Sequence, residues 1–244
     1  MGSIITIFRK EVASFFNSLI GYLVISVFLT GVGLFFWVFE YNVLETGLAN
    51  MDALFEFGPY LFLFLVPAIT MRAFSEEFKT GTIEFMATKP VTQWQIILGK
   101  YLAAVFLVFF SLLPTLLYYF TVYWLGNPVG NLDTGAIMGA YMGLFFLGSM
   151  FAGIGIFTSA LSDNQIISFV LGVFLCFLFF VGFDYMAGIK ELNTVNLFFL
   201  KLGILDHYRS ISRGVVDTRD LMYFLSFIAT TLVATKIVLI RKMG

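Results

Sequence analysis

Residues 72–100 read RAFSEEFKTGTIEFMATKPVTQWQIILGK. This is the one long charged stretch between two hydrophobic runs, 54–71 and 101–124, that each look able to cross a membrane. Phe74, Phe78 and Phe85 fall on one helical face, and Glu77, Thr80 and Glu84 on another. Gly81 breaks or bends that helix, and Pro90 disfavours helical backbone at Lys89. A new helix then begins at Thr92. Thr92 and Gln95 have the spacing of a capping box, with Val91 and Ile96 as the hydrophobic staple. The stretch therefore reads as a folded surface at a membrane face. An amphipathic surface of this kind can dock into a groove on a soluble partner; the plainer alternative is a solvated charged loop.

Working outward, composition sets the class. Of 244 residues, 60% are hydrophobic and 12% charged, with a mean hydropathy of +0.95. Soluble domains carry roughly 25% charged residues. A membrane-crossing helix needs about 20 mostly apolar residues, and six runs qualify: 19–39, 54–71, 101–124, 136–161, 166–186 and 221–240. Continuous apolar runs exclude the alternation of a barrel. The expectation is an all-α integral membrane protein in a single domain, 1–244, with six transmembrane helices. Segment 1–18 carries Ile4, Phe8, Val12, Phe15 and Phe16 at helical spacing, opposite Thr6, Arg9, Lys10 and Ser14. It reads as an amphipathic helix lying in the membrane interface, not as a cleaved signal.

Orientation follows from Lys and Arg near the span ends. Arg9 and Lys10, then Arg72, Lys79, Lys89 and Lys100, then Arg241 and Lys242 all fall on one side of a six-span chain. The connections 40–53 and 125–135, on the other side, have neither Lys nor Arg. Both termini and segment 72–100 are therefore expected in the cytoplasm, and the protein in a bacterial inner membrane. Segment 188–219 dissents, carrying Lys190, Lys201, Arg209, Arg213 and Arg219 on the outer side. Its apolar residues predict short helices resting on or dipping into the outer leaflet. The net charge of −1 offers nothing to nucleic acid.

Ser162 and Gln165 repeat the capping-box spacing, with Leu161 and Ile166 as staple. Asp217 is placed to cap the last span. Gly135, Gly139 and Gly143 form a small-residue stripe that lets another helix approach closely, within the chain or across a dimer. Pro67 and Pro114 can kink their spans.

Catalytic and metal constellations are not legible. Gly99-Lys100 lacks both the earlier glycine and the following Ser or Thr of a phosphate loop. His207 is the one histidine, read as an exposed loop residue, and Cys176 the one cysteine, read as a buried apolar side chain. Ser149 has no partnering base in its span, and Met138 with Met142 reads as packing. The span centres carry no ionisable residue; Glu56, Asp184 and Lys236 sit near span ends. That argues against proton pathways. Free energy must then enter from outside the spans, and segment 72–100 is the natural port.

The pattern Phe74-Ser75-Glu76-Glu77 through Lys79-Thr80-Gly81-Thr82-Ile83-Glu84, then Lys89-Pro90-Val91 and Ile97-Leu98-Gly99-Lys100, resembles the permease subunits of ABC-2-type transporters. With Ile20-Gly21-Tyr22, Val66-Pro67-Ala68-Ile69-Thr70-Met71-Arg72 and Leu125-Gly126-Asn127-Pro128, it is most similar to the gliding-motility-associated permease subunits (GldF) of Bacteroidetes. The resemblance implies six spans, a second permease protomer or related membrane subunit, and a coupling helix between spans two and three. That helix would dock onto a separate ABC ATPase subunit, with Glu76, Glu77, Gly81, Thr82 and Glu84 at the contact. The chain itself would carry no cofactor and no ATPase site; ATP and Mg would sit on the partner. The alternative is a non-translocating anchor for a motility or surface assembly. Aromatic-rich, uncharged spans suit a lipid-linked or amphipathic cargo better than a small ion.

Overall fold

The computed structural model describes residues 2–40, 42–83, 91–188, 200–214 and 217–243. Those residues are helical and contain no strand. Helix α1 (Gly2–Asn17) leads into α2 (Leu19–Trp37), and a single turn, α3 (Val43–Thr46), follows. Then come α4 (Asp52–Thr70), the short α5 (Ser75–Lys79) and α6 (Gln93–Leu112). A 3₁₀ turn at Leu113–Thr115 joins α6 to α7 (Leu116–Leu125). Helices α8 (Thr134–Leu161) and α9 (Gln165–Phe177) follow. A π turn at Leu178–Gly182 leads into α10 (Phe183–Ala187), and α11 (Ile204–Ser212) and α12 (Thr218–Met243) close the chain. With α4–α5, α6–α7 and α9–α10 each taken as one continuous stretch, six helical stretches among the described residues are long and apolar enough to cross a membrane.

The 3₁₀ turn has a direct cause. Pro114 has no N–H to donate back into α6, and the turn around it tightens. Pro59 and Pro67 instead remain inside α4. The carbonyl of Phe55, four residues before Pro59, has no intrahelical donor. The Tyr208 hydroxyl of α11 donates to it at 2.6 Å. Burial pushes the Tyr208 phenol well above its usual pKa, so it stays a donor.

Helix α8 is the centre of the bundle. Its most apolar window is 78% buried, against 28% for the first, fifth and sixth spans. It packs on α4, α6, α9, α11 and α12. Small residues on different sides of α8 let these neighbours close in. A Cβ on Gly155 would collide with the Thr70 hydroxyl, and one on Gly148 would sit 2.5 Å from Val108 Cγ1. A Cβ on Gly153 would meet Thr231 Oγ1 at 2.6 Å. Packing of this kind, rather than water exclusion, holds helices together in lipid.

The Gly135, Gly139 and Gly143 stripe divides. Gly139 and Gly143 pack within the chain against α11 and its closing turn: a Cβ on Gly139 would stand 2.7 Å from Gly214 Cα. Gly135 faces outward and meets nothing closer than Asp133 Oδ1 at 3.4 Å, because α8 has only just begun there. The Asp133 side chain accepts from Ala136 N and starts that helix.

Two expectations are revised. Asn164, not Ser162, caps α9, accepting from Ile166 N at 2.9 Å. The Ser162 hydroxyl is taken by Asn164 N, and Asn164 stays extended, so Gln165 becomes the first helical residue and stands too early for a capping box. His207 is not an exposed loop residue. It lies on α11, its Nδ1 2.6 Å from Asp220 Oδ1 and its ring stacked on Tyr223 at 3.9 Å. Its Nε2 donates to the Lys201 carbonyl. Segment 188–219 is thus folded back on the bundle over its described part. At Asp217 the reading and the structure coincide: its carboxylate accepts from Arg219 N at 2.8 Å, opening α12.

Candidate functional site: the charged terminal end of the bundle

Both termini, α5 and the turn between α8 and α9 meet at one end of the bundle. The C-terminal Lys242 reaches Asp163 Oδ1 at 2.8 Å and lies 4.1 Å above the Phe78 ring. Near the other terminus, Glu11 of α1 meets α5 and α6 through Lys100.

Helix α4 does not simply end. After Thr70 the backbone turns and restarts as α5, and Ser159 of α8 fixes that turn. Its buried hydroxyl donates to the Met71 carbonyl at 2.8 Å and accepts from the N–H groups of Phe74 and Ser75 at 2.9 and 3.1 Å. One donor and two lone pairs are all in use. Phe74 is fully buried directly after the turn. α5 then closes at Gly81, whose φ of +69° is the left-handed conformation that suits glycine at a helix end. Gly81 N donates to the Phe78 carbonyl and Thr80 N to Glu76.

The next helix start is built as its sequence spells it. The Thr92 hydroxyl accepts from Gln95 N, and Gln95 Oε1 accepts from Thr92 N at 2.9 Å. About two turns beyond Thr92 along α6, Gly99 admits α1: a Cβ there would fall 2.6 Å from Ile7 Cγ2. This contact keeps the amphipathic α1 against α6, with Phe8 edge-on to Phe106 and Phe16 edge-on to Phe110.

Between α1, α5 and α6 lies a buried ion cluster. The Lys100 residue is 4% exposed. Its ammonium stands 2.7 Å from Glu77 Oε1 and 3.0 Å from Glu11 Oε1, with Phe74's ring 5.3 Å away. Two carboxylates thus share one ammonium, and Glu77 Oε2 is buried with no hydrogen-bond partner among the described residues. Removing one member of such a buried cluster strands the others and costs about 3–5 kcal/mol. The cluster therefore ties α1, distant in sequence, to α5 and α6 as one unit.

The segment's faces accordingly differ from the simple helical projection. Phe74 is buried and Phe78 partly buried against the bundle, so this apolar face is occupied by the chain itself. Glu77 points inward to Lys100. The outward surface is polar: Glu76, Lys79, Thr80, Gly81 and Thr82. Glu84, Phe85, Lys89 and Pro90 lie outside the described residues. Glu11 and Ser159, and Lys100 as a buried partner, were not singled out from sequence. A lysine at the mouth of an apolar span was the available signal for Lys100. Nothing local marks Ser159, whose role exists only because α8 passes beneath the turn.

With the geometry in place, comparison with known families is informative. The family model described as ABC-2 family transporter protein matches residues 5–241. No curated protein matches the chain.

Proposed function

The chain belongs to the ABC-2 family of transporter proteins, and from that premise we propose that it is the membrane-embedded permease subunit of an ATP-driven transporter. Its terminal end faces the cytoplasm of a bacterial inner membrane and receives a separate ABC ATPase subunit. ATP and Mg belong to that partner. A second permease protomer completes the pore. The finer reading, a gliding-motility-associated permease, rests on the whole-chain resemblance to that group.

The observation that carries the proposal is the anchoring of α5. Its outward surface is polar and open, while Lys100, Ser159 and Lys242 join it to α6, α8, α1 and α12. A force applied to Glu76 and the Thr80–Thr82 turn is transmitted to the spans rather than absorbed by a loose loop. A partner shifts the spans only if it binds one arrangement of this surface better than another.

Co-expression with the neighbouring ATPase subunit and purification in mild detergent test this. Glu76→Lys combined with Thr82→Arg is expected to lower ATPase recovery roughly tenfold, an effect of about 1.4 kcal/mol. The matched change Glu45→Lys, at the opposite end, is expected to leave it unchanged. Full recovery of the ATPase by the double variant overturns the docking assignment. So does the wild-type chain retaining no nucleotide-binding subunit.

A further inference from the structure

Beside the ion cluster is a cavity of about 440 Å³, bounded by α1, α4, α5 and α6. It lies at the level where α4 ends at Thr70 and where Lys100 enters the third span, the depth at which lipid headgroups sit beside a bundle. Its inner part is apolar, formed by Phe15 and Ile69. Its polar lining has two signs. Lys10 and Arg72 are the basic groups left over once Lys100 is committed to the two glutamates. Among the described residues Arg72 makes a single long hydrogen bond, 3.4 Å to Ser18 Oγ, which leaves most of its guanidinium donors without a partner there. Glu11, Glu76 and Glu77 supply the acid; Glu11 and Glu77 are held by Lys100, which leaves Glu76 as the exposed carboxylate of the lining.

We propose that this cavity seats the headgroup of a primary-amine phospholipid, of the phosphatidylethanolamine class. The phosphate would be held by Arg72 and Lys10. The ammonium would be directed to the exposed carboxylate of Glu76, beside the Glu77 side chain. A choline headgroup has the charge but no N–H to donate. A glycerol headgroup has neither the ammonium nor any reason to lie beside two carboxylates. Basic pockets between spans on the cytoplasmic side are recognised headgroup sites; the paired acid is what narrows the class here. The seat would make α1 and α5 sensitive to the lipid around them, since both line it.

The test uses the full chain, purified and equilibrated with vesicles of phosphatidylethanolamine, phosphatidylcholine and phosphatidylglycerol in equal amounts. Bound lipid is then counted by native mass spectrometry. The wild type is expected to retain phosphatidylethanolamine above the other two. Lys10→Ala and Arg72→Ala are each expected to weaken retention about fivefold. Glu76→Gln is expected to remove the preference over phosphatidylcholine while phosphate-dependent retention persists. Glu76 is exposed and outside the Lys100 cluster, so this change leaves that cluster in place. Equal retention of all three lipids, or total lipid retention untouched by Arg72→Ala, overturns the proposal. Soluble phosphoethanolamine is included as a competitor; displacement at equal concentration would assign the site to a free phosphoamine instead of a lipid. No nucleotide or partner subunit is present, so this outcome is independent of the docking assignment.

Discussion

Lys100 shows how a single side chain can change the meaning of a sequence. In the linear chain it is one of several basic residues flanking a span, useful for orientation. In the fold it is enclosed by Glu11 and Glu77, which stand 89 and 23 residues before it in the chain. Lys100→Ala is expected to lower stability by about 3–5 kcal/mol, since two buried carboxylates lose their shared counter-charge. A combined Glu11→Gln, Glu77→Gln, Lys100→Met variant is expected to regain most of the loss, because the stranded charges are gone with the lysine. Thermal unfolding in detergent measures both. An unshifted melting temperature for Lys100→Ala would mean that the cluster does not hold α1 and α5 in place. Ser159 makes a similar point with neutral atoms. Its hydroxyl is fully used in closing the α4–α5 turn, and nothing near it in sequence announces that role.

At the scale of elements, local rules worked where the controlling atoms are neighbours in sequence. The Thr92–Gln95 capping box, the Asp217 cap and the break at Gly81 involve partners within a few residues. The Ser162–Gln165 pattern has the same spacing, yet Asn164 caps instead, because two cap-forming side chains compete within one short turn. The glycine stripe of α8 is likewise readable as small, but not as to which neighbour uses it. Gly139→Ala is expected to cost about 1–3 kcal/mol, since its Cβ would press on the backbone of Gly214 and the Ile211 carbonyl, which cannot rotate away. Gly135→Ala is expected to change stability by no more than about 0.5 kcal/mol, as its surroundings are open. Parallel melting curves separate the two. Equal effects would place the α8–α11 contact elsewhere.

For the whole molecule, an even number of spans brings both termini to the end that carries α5. The proposed orientation puts that end in the cytoplasm. Basic residues remain at the opposite end, where Arg209 stands 3.9 Å from Asp184 and His207 is paired with Asp220. Single cysteines introduced into a Cys176→Ala background decide the orientation. Asn131→Cys is expected to react with a membrane-impermeant maleimide in intact cells, and Thr80→Cys only after permeabilisation. The reverse pattern would invert the topology and place the docking surface on the wrong side for an ATPase. Cys176 itself is fully buried and is removed only to keep the background silent.

The sequence by itself determined the helical membrane class, the six spans and several of the helix ends. These follow from how much apolar surface each run exposes and from side chains that satisfy backbone groups a few residues away. The tertiary structure alone decided which face of segment 72–100 is free, because that depends on what lies beneath it. Phe74 and Phe78 are covered by the chain's own helices, and Glu77 is drawn inward by an ammonium that reaches it only when α6 packs beside α5. Contacts of that kind depend on how separate helices pack, and no local pattern of charge or periodicity records them.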